Sequence, residues 1–233
     1  MQTILITGAN RGIGFELTRH LLKDDVHIFA SCRAPESAAA LRDLAKQQPD
    51  KATIVQLDID DEASIGAALK TVAAKVDALD ILINNAGIGG GDGARILGKL
   101  TAAEVSQVIS TNAVAPLVVT QAFRGLLKRG DNPRVVMISS GMGSLQRAAG
   151  RSYAYRMSKA AMNMAARVLA FDGEMAGITT VTVNPGWVQT DMGGPNAALK
   201  PEESGGALRA LINGLTPADN GKFFQYDGSD LPW

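Results

Sequence analysis

Tyr155 and Lys159 are the two residues whose types and spacing point most directly to chemistry. They stand four residues apart, and on a helix that spacing places both side chains on one face. A phenol can protonate a developing alkoxide, but its ordinary pKa of roughly 10 is too high for a base at neutral pH. An ammonium about 4 Å away would stabilise the phenolate by about 4 kcal/mol at an effective dielectric constant of about 20, which would lower the phenol pKa by up to roughly three units. The pair therefore predicts proton transfer to or from a substrate oxygen.

The same spacing also arises by chance on surface helices, and Tyr153 lies close by as a competing phenol. The residue four positions after Tyr153 is Met157, which carries no charge. Tyr153 therefore has no cationic partner, and we assign the acid–base role to Tyr155.

Ser139 and Ser140 stand at the end of a predicted strand. Successive strand side chains point to opposite faces, so only one of the two hydroxyls can face a given site. Such a hydroxyl could hydrogen-bond a substrate oxygen and polarise its carbon toward hydride attack. The alternative is a pair of serines that closes a strand and has no part in chemistry.

Asn112 lies inside a long predicted helix at residues 102–129. Asparagine is a poor residue in the middle of a helix, because its side chain competes for backbone hydrogen bonds. Its position therefore suggests a role beyond helix formation.

A glycine-rich turn, Thr7-Gly8-Ala9-Asn10-Arg11-Gly12-Ile13-Gly14, separates the first predicted strand from the first predicted helix. Gly8 permits a tight turn, Gly12 lets the backbone approach a pyrophosphate, and Gly14 lets the helix pack close to the sheet. The amide groups at the helix N-terminus attract phosphate. Strand, turn and helix follow in the order that a dinucleotide site needs, although a glycine-rich turn alone is also found in ordinary loops.

Arg33 indicates which dinucleotide is bound. Enzymes that use NAD usually carry an acidic residue after the second strand, where it binds the ribose 2′-hydroxyl. Here that region reads Ala30-Ser31-Cys32-Arg33, with no acid. Arg33 is positioned to bind a 2′-phosphate and Arg11 could add a second guanidinium, so we predict NADP(H). The alternative is two solvated surface arginines.

Short apolar runs alternate with longer amphipathic stretches along the whole chain, which predicts an α/β domain. Continuously apolar strands indicate a doubly wound parallel sheet of about seven strands covered by helices on both faces. The predicted strands are residues 3–7, 26–32, 53–57, 79–83, 134–139, 179–183 and 222–226, and the predicted helices are residues 13–23, 36–47, 62–75, 102–129, 153–175 and 201–213. Three long loops, residues 87–98, 141–152 and 185–200, follow strands and should surround the ligand site.

Composition excludes several other classes of protein. The 233 residues fit one domain, residues 1–233, and 46% of them are hydrophobic, which is enough for a large core. A formal net charge of zero argues against nucleic acid as the main partner. Two histidines and one cysteine provide no metal-ligand cluster. The single Cys32, the absence of a signal peptide and the lack of an apolar stretch that we judge long enough to cross a bilayer lead us to expect a cytoplasmic protein.

In order along the chain, these motifs resemble those of the short-chain dehydrogenase/reductase family, which implies a single Rossmann-like domain. The resemblance rests on Thr-Gly-x-x-x-Gly-Ile-Gly at the glycine turn, on Asn84-Asn85-Ala86-Gly87 after the fourth strand, and on the Tyr155–Lys159 pair. It implies a catalytic set of Asn112, Ser140, Tyr155 and Lys159, in which Asn112 bends its helix and holds a water linked to the lysine. The segment from residue 141 to residue 153 is slightly longer than in many members, which leaves Ser139 as an alternative to Ser140.

The resemblance also implies the cofactor contacts. Asp58 and Ile59 would contact adenine, Asn85, Ala86 and Gly87 would lie along the dinucleotide, and Thr190 would hold the nicotinamide carboxamide. The full expected NADP(H) site consists of Gly8, Asn10, Arg11, Gly12, Ile13, Gly14, Arg33, Asp58, Ile59, Asn85, Ala86, Gly87, Tyr155, Lys159, Pro185, Gly186, Val188 and Thr190.

The C-terminal region, from Leu215 to Trp233, resembles the subgroup of sniffer-type carbonyl reductases and bacterial C-factor proteins. This subgroup implies NADPH-dependent reduction of a ketone, aldehyde or quinone, with Tyr155 as general acid. Two alternatives remain open: a dinucleotide-binding signalling or interaction protein with little turnover, and an alcohol dehydrogenase that works oxidatively. The expected partner is a small carbonyl or alcohol substrate, not a nucleic acid or a membrane.

Apolar residues in the predicted loops suggest the nature of the substrate. Met142, Leu145, Trp187 and Met192 are expected to wall the pocket, which favours an apolar substrate, although each could instead pack against its neighbours. A homodimer or homotetramer is expected, with the helices at residues 102–129 and 153–175 as the interface.

Overall fold

Seven strands form one parallel sheet in the computed structural model, which describes residues 1–233. The sheet order is β3-β2-β1-β4-β5-β6-β7, and every neighbouring pair is parallel. This confirms the predicted doubly wound α/β fold. The strands are β1 (Gln2–Ile6), β2 (Val26–Cys32), β3 (Ala52–Gln56), β4 (Ile81–Asn84), β5 (Arg134–Ile138), β6 (Thr179–Asn184) and β7 (Phe223–Gln225).

Helices cover both faces of the sheet, because alternate residues of each buried strand point to opposite sides. In β1, Ile4 and Ile6 belong to one buried cluster and Leu5 belongs to the other. Each cluster contains 22 buried residues, so the sheet has two cores of equal size. The helices are α1 (Gly12–Leu21), α2 (Ala39–Gln47), α3 (Glu62–Ala73), α4 (Ala102–Ile109), α5 (Ala115–Leu127), α6 (Tyr153–Phe171) and α7 (Pro201–Gly214).

Two predicted helices were too long. The segment Pro35–Ser37 forms a separate 3₁₀ turn, and α2 begins only at Ala39. Helix α6 ends at Phe171, because Asp172 adopts an extended conformation and its side chain accepts a hydrogen bond from the Glu174 amide. That bond caps a further short turn and separates it from the helix.

The helix predicted at residues 102–129 is interrupted by a π-helical turn at Ser110–Val114. In this turn the Ala115 amide donates to the Ser110 carbonyl, five residues back. Pro116 has no N–H group, so it cannot supply the usual α-helical donor to the carbonyl of Asn112, four residues earlier. The irregularity expected at Asn112 is therefore present, with a neighbouring proline as its physical cause.

The run Ala102–Leu127 is long and apolar enough to span a membrane by length and composition alone. Our expectation that no stretch reaches that length was therefore wrong. In the structure this run is a covering layer of the sheet, with Val119 and Phe123 fully buried in the core.

Candidate active site

The loops that follow β4, β5 and β6 surround a cleft of about 600 Å³ at the carboxyl edge of the sheet. This is the edge where parallel α/β sheets bind ligands, as predicted from the three long loops. The lining residues are Ile13, Gly89, Arg95, Ser139, Ser140, Gly141, Met142, Arg147, Ser152, Tyr155, Asn184, Pro185, Gly186, Trp187, Val188, Thr190, Met192 and Gly193.

Tyr155 and Ser140 line this cleft together, and Lys159 lies behind them. Tyr155 is in the first turn of α6, so the four-residue spacing places Lys159 one turn further along the same face. The Lys159 side chain is buried, and its Nζ lies 5.8 Å from the centroid of the Tyr155 ring. The same Nζ donates a hydrogen bond of 2.9 Å to the carbonyl oxygen of Ile138 at the end of β5.

Burial controls the ionisation of both groups. It raises the pKa of the Tyr155 phenol above its ordinary value, and a hydrogen bond with the Ser140 side chain opposes the rise. It lowers the pKa of the Lys159 ammonium to about 8. The tyrosine pKa therefore lies above its ordinary value and not below it as we predicted, because desolvation is the largest influence on it. The phenol is protonated at neutral pH and can donate its proton.

The two serines at the end of β5 face different surroundings. Ser139 donates a buried hydrogen bond of 2.6 Å to the Asn163 Oδ1 atom on α6. The Ser140 hydroxyl is half-buried in the cleft and accepts a hydrogen bond of 3.1 Å from the Met142 amide. The Met142 amide uses a lone pair of the Ser140 oxygen and not its hydroxyl proton, so the hydroxyl can donate to the Tyr155 oxygen or to a ligand oxygen. The geometry therefore favours Ser140 over Ser139.

The Asn112 side chain is fully buried and holds the chain after β4 in place. Its Oδ1 accepts a 2.8 Å hydrogen bond from the Ile88 amide, and its Nδ2 donates to the Ile88 carbonyl at 2.8 Å and to the Ser158 Oγ at 3.0 Å. Both amide protons are thus engaged within the protein. The backbone carbonyl of Asn112, which Pro116 deprives of its α-helical donor, is the group able to accept from a water or from Lys159.

The glycine turn offers unpaired amide groups at the start of α1. The N–H groups of Gly12, Ile13 and Gly14 have no acceptor in the protein, and no side chain caps this helix. Gly8 has a φ of +67°, a left-handed conformation that favours glycine. A turn of this kind binds the phosphates of a dinucleotide.

Asn85 fixes this turn to β4. Its Nδ2 donates to the carbonyl oxygens of Thr7 at 2.9 Å and Gly8 at 3.1 Å. The Thr7 hydroxyl accepts hydrogen bonds from the amides of Asn85 and Ala86, both at 3.0 Å. The side chain of Asn85 thus has a structural role here, and the predicted run Asn85-Ala86-Gly87 lies directly beside the turn.

The two predicted phosphate-binding arginines differ in their surroundings. Arg33, at the end of β2, is exposed and forms no salt bridge or side-chain hydrogen bond. Arg11 pairs with Asp191 at 2.5 Å, which links the glycine turn to the loop after β6. Arg33 is therefore the free guanidinium of the pair.

The predicted adenine contacts lie outside the cleft described above. Asp58 follows β3, is half-buried, and its backbone amide donates to the Ser64 hydroxyl at 2.9 Å. Ile59 is buried in the core beneath that loop. Both residues stand at the same carboxyl edge of the sheet as Arg33. They follow β3, which lies two strands away from β1 and its glycine turn.

The segment after β6 forms part of the cleft wall and is held in place by hydrogen bonds within the protein. Thr190 accepts a bond of 3.2 Å from the Gly193 amide, and a methyl group built on Gly12 would lie 3.2 Å from the Thr190 side chain. The Pro185 carbonyl accepts from the Ser204 hydroxyl at 2.7 Å. Pro185, Gly186, Val188 and Thr190 all line the cleft as predicted.

Three of the four predicted substrate-pocket residues line the cleft: Met142, Trp187 and Met192. Leu145 does not, and its side chain is 76% exposed. That part of the prediction is wrong, because the loop after β5 directs Leu145 toward solvent.

Three further polar residues line the cleft and were not predicted from the sequence: Arg95, Arg147 and Ser152. Their positions in the predicted loops were the only available signal. Nothing in the sequence distinguishes Arg95 and Arg147 from the neighbouring Arg151 and Arg156, which do not line the cleft.

Comparisons with known proteins agree with this geometry. A profile of the family described as short chain dehydrogenase matches residues 2–200. The C-signal protein of Myxococcus xanthus is 46% identical over 156 residues, which cover 66% of this chain and 93% of that protein. The carbonyl reductase Sniffer of D. melanogaster has 34% identity and a TM-score of 0.93, with complete coverage of both chains. The NADPH-bound carbonyl reductase from chicken fatty liver has 36% identity and a TM-score of 0.93, and covers 100% of this chain and 99% of that one.

Proposed function

The chain belongs to the short-chain dehydrogenase family, and we propose that it is an NADPH-dependent carbonyl reductase acting on ketones, aldehydes or quinones. The observation that carries the proposal is the convergence of Ser140 and a protonated Tyr155 in one cleft, with the Lys159 ammonium behind them. The relatives described as carbonyl reductases cover the whole of this chain, which supports the same activity.

The residues present fit a nicotinamide dinucleotide phosphate. The unpaired amides of Gly12, Ile13 and Gly14 would hold the pyrophosphate, and the free Arg33 guanidinium would bind the 2′-phosphate. Thr190 and the segment from Pro185 to Val188 would hold the nicotinamide end. The cofactor, when bound, supplies the hydride that reduces the carbonyl carbon.

The chain's own residues would handle the carbonyl oxygen. The Ser140 hydroxyl donates a hydrogen bond to it, which stabilises the negative charge that develops during reduction. The Tyr155 phenol then gives its proton to that oxygen and completes the alcohol. Lys159 stabilises the phenolate left behind, because its ammonium faces the tyrosine ring.

We propose that the proton lost by Tyr155 is replaced through Lys159 and a water held by the Asn112 carbonyl. The support is the lack of an α-helical donor for that carbonyl at the π turn. The side-chain amide of Asn112 keeps the turn in place through Ile88 and Ser158.

The raised pKa keeps the Tyr155 phenol protonated, so the group is ready to act as the acid that reduction needs. Oxidation of an alcohol would first require loss of that proton. The direction in the cell follows the ratio of oxidised to reduced cofactor, so the same site could serve an alcohol dehydrogenase.

We further propose that two copies of the chain pair through α5 and α6. Large apolar side chains are exposed on these helices, which is unusual for a free surface. They are Val114 at the end of the π turn, Leu117 near the start of α5, and Met157, Met164, Val168 and Phe171 along α6. A location in the cytoplasm fits the single cysteine, Cys32, which is buried as a free thiol.

The decisive experiment measures NADPH oxidation with a panel of an aromatic aldehyde, a ketone and a quinone. We expect turnover by the native protein, and we expect Tyr155→Phe to bind NADPH normally while turnover falls by about 10²- to 10⁴-fold. Near-full activity in that variant would rule out the mechanism. Tight NADPH binding with no turnover on any carbonyl would instead favour a signalling module, the alternative suggested by the similarity to C-signal.

A further inference from the structure

Two arginines, Arg95 and Arg147, line the cleft beside Tyr155 and Ser140, and no acidic side chain lines it. Arg95 comes from the loop after β4 and Arg147 from the loop after β5. Both are exposed, and neither forms a salt bridge or a side-chain hydrogen bond. The cleft therefore carries two unneutralised positive charges.

The backbone of each arginine is held in place even though its side chain is free. The Arg95 carbonyl accepts a hydrogen bond of 2.9 Å from the Ser152 amide, which ties the two loops together. The Arg147 amide donates to the Ser144 hydroxyl at 3.2 Å. Free guanidinium groups on fixed backbone are suited to binding an anion, because little backbone ordering is needed.

Acidic residues near the cleft are already paired with other cations. Asp191, between the lining residues Thr190 and Met192, pairs with Arg11. Asp92, three residues before Arg95, pairs with Lys99 at 3.1 Å. Neither carboxylate pairs with Arg95 or Arg147, so both guanidinium groups are available to bind a ligand.

These arginines are distinct from the groups that fit the cofactor. The predicted phosphate contacts lie on the glycine turn and at the end of β2, whereas Arg95 and Arg147 share the cleft with Met142, Trp187 and Met192. Apolar walls and two cations thus occupy the part of the cleft left for substrate. Ser152 adds a hydroxyl to the same wall, and as the first residue before α6 it makes no capping bond.

We infer that the substrate is a carbonyl compound with an apolar body and an anionic group, a carboxylate being the simplest, which Arg95 and Arg147 bind. This inference rests on the proposed function and specifies its substrate class. Guanidinium and carboxylate form charge-assisted, often bidentate hydrogen bonds, and a concave site lined by one sign of charge concentrates ligands of the other.

The test compares 4-carboxybenzaldehyde with its methyl ester at saturating NADPH. The two aldehydes differ in intrinsic reactivity, so the informative quantity is the change in their kcat/KM ratio between native protein and variant. We expect Arg95→Met and Arg147→Met each to lower kcat/KM for the acid about tenfold, mainly through KM, with little effect on the ester. Added salt should reduce the preference in native protein and have less effect in the double variant.

Arg151→Met is the matched control, since it removes one positive charge from the loop after β5 but outside the cleft, and Arg151 has no carboxylate partner that the change would leave unpaired. It should leave the ratio unchanged. If the arginine variants lower kcat/KM for both aldehydes by the same factor, or for neither aldehyde, the inference is wrong and the carbonyl reductase proposal stands.

A binding measurement separates the two proposals further. Native protein loaded with NADP⁺ should bind 4-(hydroxymethyl)benzoate, and the double variant should bind it at least about tenfold more weakly. If neither aldehyde is reduced, the proposed function fails and the substrate assignment fails with it. Equal binding by native protein and double variant would overturn the anion site directly.

Discussion

Lys159 donates a hydrogen bond of 2.9 Å to the backbone carbonyl oxygen of Ile138, the one oxygen that it contacts in this way, and it has no carboxylate partner. Burial lowers the pKa of Lys159, so the folded protein holds this charge at a cost in stability. The buried charge destabilises the folded protein, but it also provides a positive group that can stabilise a tyrosine phenolate.

The first prediction is that Lys159→Met raises the free energy of unfolding at neutral pH while activity is lost. The shift in Lys159 pKa from 10.5 to about 8 corresponds to roughly 3 kcal/mol, partly offset by the lost bond to Ile138. We therefore expect a gain of about 1–2 kcal/mol in urea unfolding.

The pH dependence provides the control for that variant. Between pH 8 and pH 10.5 the unfolded chain keeps the lysine proton and the folded chain loses it, so native stability rises with pH in that window. The difference between native protein and Lys159→Met should shrink there. A constant difference across the window would contradict a lowered pKa.

The second prediction concerns the pH profile of carbonyl reduction. Above about pH 8 Lys159 loses its charge and no longer stabilises the tyrosinate, so kcat/KM for the aldehyde should fall. The measurement is kcat/KM across neutral to alkaline pH at saturating NADPH. If Lys159→Met retained the same alkaline fall on its residual activity, another group would be responsible.

The third prediction separates the two serines of β5. Ser140→Ala should lower kcat by about 10²- to 10³-fold with stability nearly unchanged, because the lost hydroxyl faces the cleft. Ser139→Ala should retain the chemistry but lose about 1–3 kcal/mol of stability, because Asn163 Oδ1 is left buried without its donor. The reverse pattern in kinetics and unfolding would assign the catalytic role to Ser139.

The fourth prediction concerns cofactor preference. Arg33→Glu should lower the ratio of NADPH to NADH activity by at least about tenfold, because a carboxylate repels the 2′-phosphate and accepts from a ribose hydroxyl. Lys75→Glu makes the same charge change on an exposed residue after α3 and is the control. An unchanged ratio in Arg33→Glu would remove the basis for assigning NADP(H).

The fifth prediction concerns the exposed apolar face of α5 and α6. Met164→Glu places a charge in the centre of that face and should convert dimers to monomers in analytical ultracentrifugation. Leu97→Glu changes a comparably exposed apolar residue elsewhere and should leave the assembly unchanged. A native protein that sediments as a monomer would exclude the proposed pairing.

The sequence was sufficient to predict features set by local pattern. Continuous apolar runs identified all seven strands, and the spacing of Tyr155 and Lys159 identified the helical face that reaches the cleft. Glycine spacing located the turn whose amides are free. Each of these depends on residues close together in the chain, where backbone geometry leaves few alternatives.

Features that depend on contacts between distant parts of the chain could not be predicted from the sequence. The rise in the Tyr155 pKa comes from burial by several separate loops, and no local pattern reports burial of that kind. The directions of Leu145 and Arg147 depend on how one irregular loop folds against the rest of the chain. The π turn is an intermediate case, since Pro116 is visible in the sequence but its effect on the Asn112 carbonyl appears only in the helix.

The position of Arg95 and Arg147 on loops has an evolutionary consequence. Tyr155 and Lys159, the groups assigned to proton transfer, lie on α6 inside the rigid framework, whereas the residues assigned to substrate recognition lie on surface segments that tolerate replacement. Descendants of this chain could acquire new substrates by exchanging residues 91–98 or 144–150 without rebuilding the reaction centre. Substitutions would then be frequent in these surface loops and rare at the reaction centre.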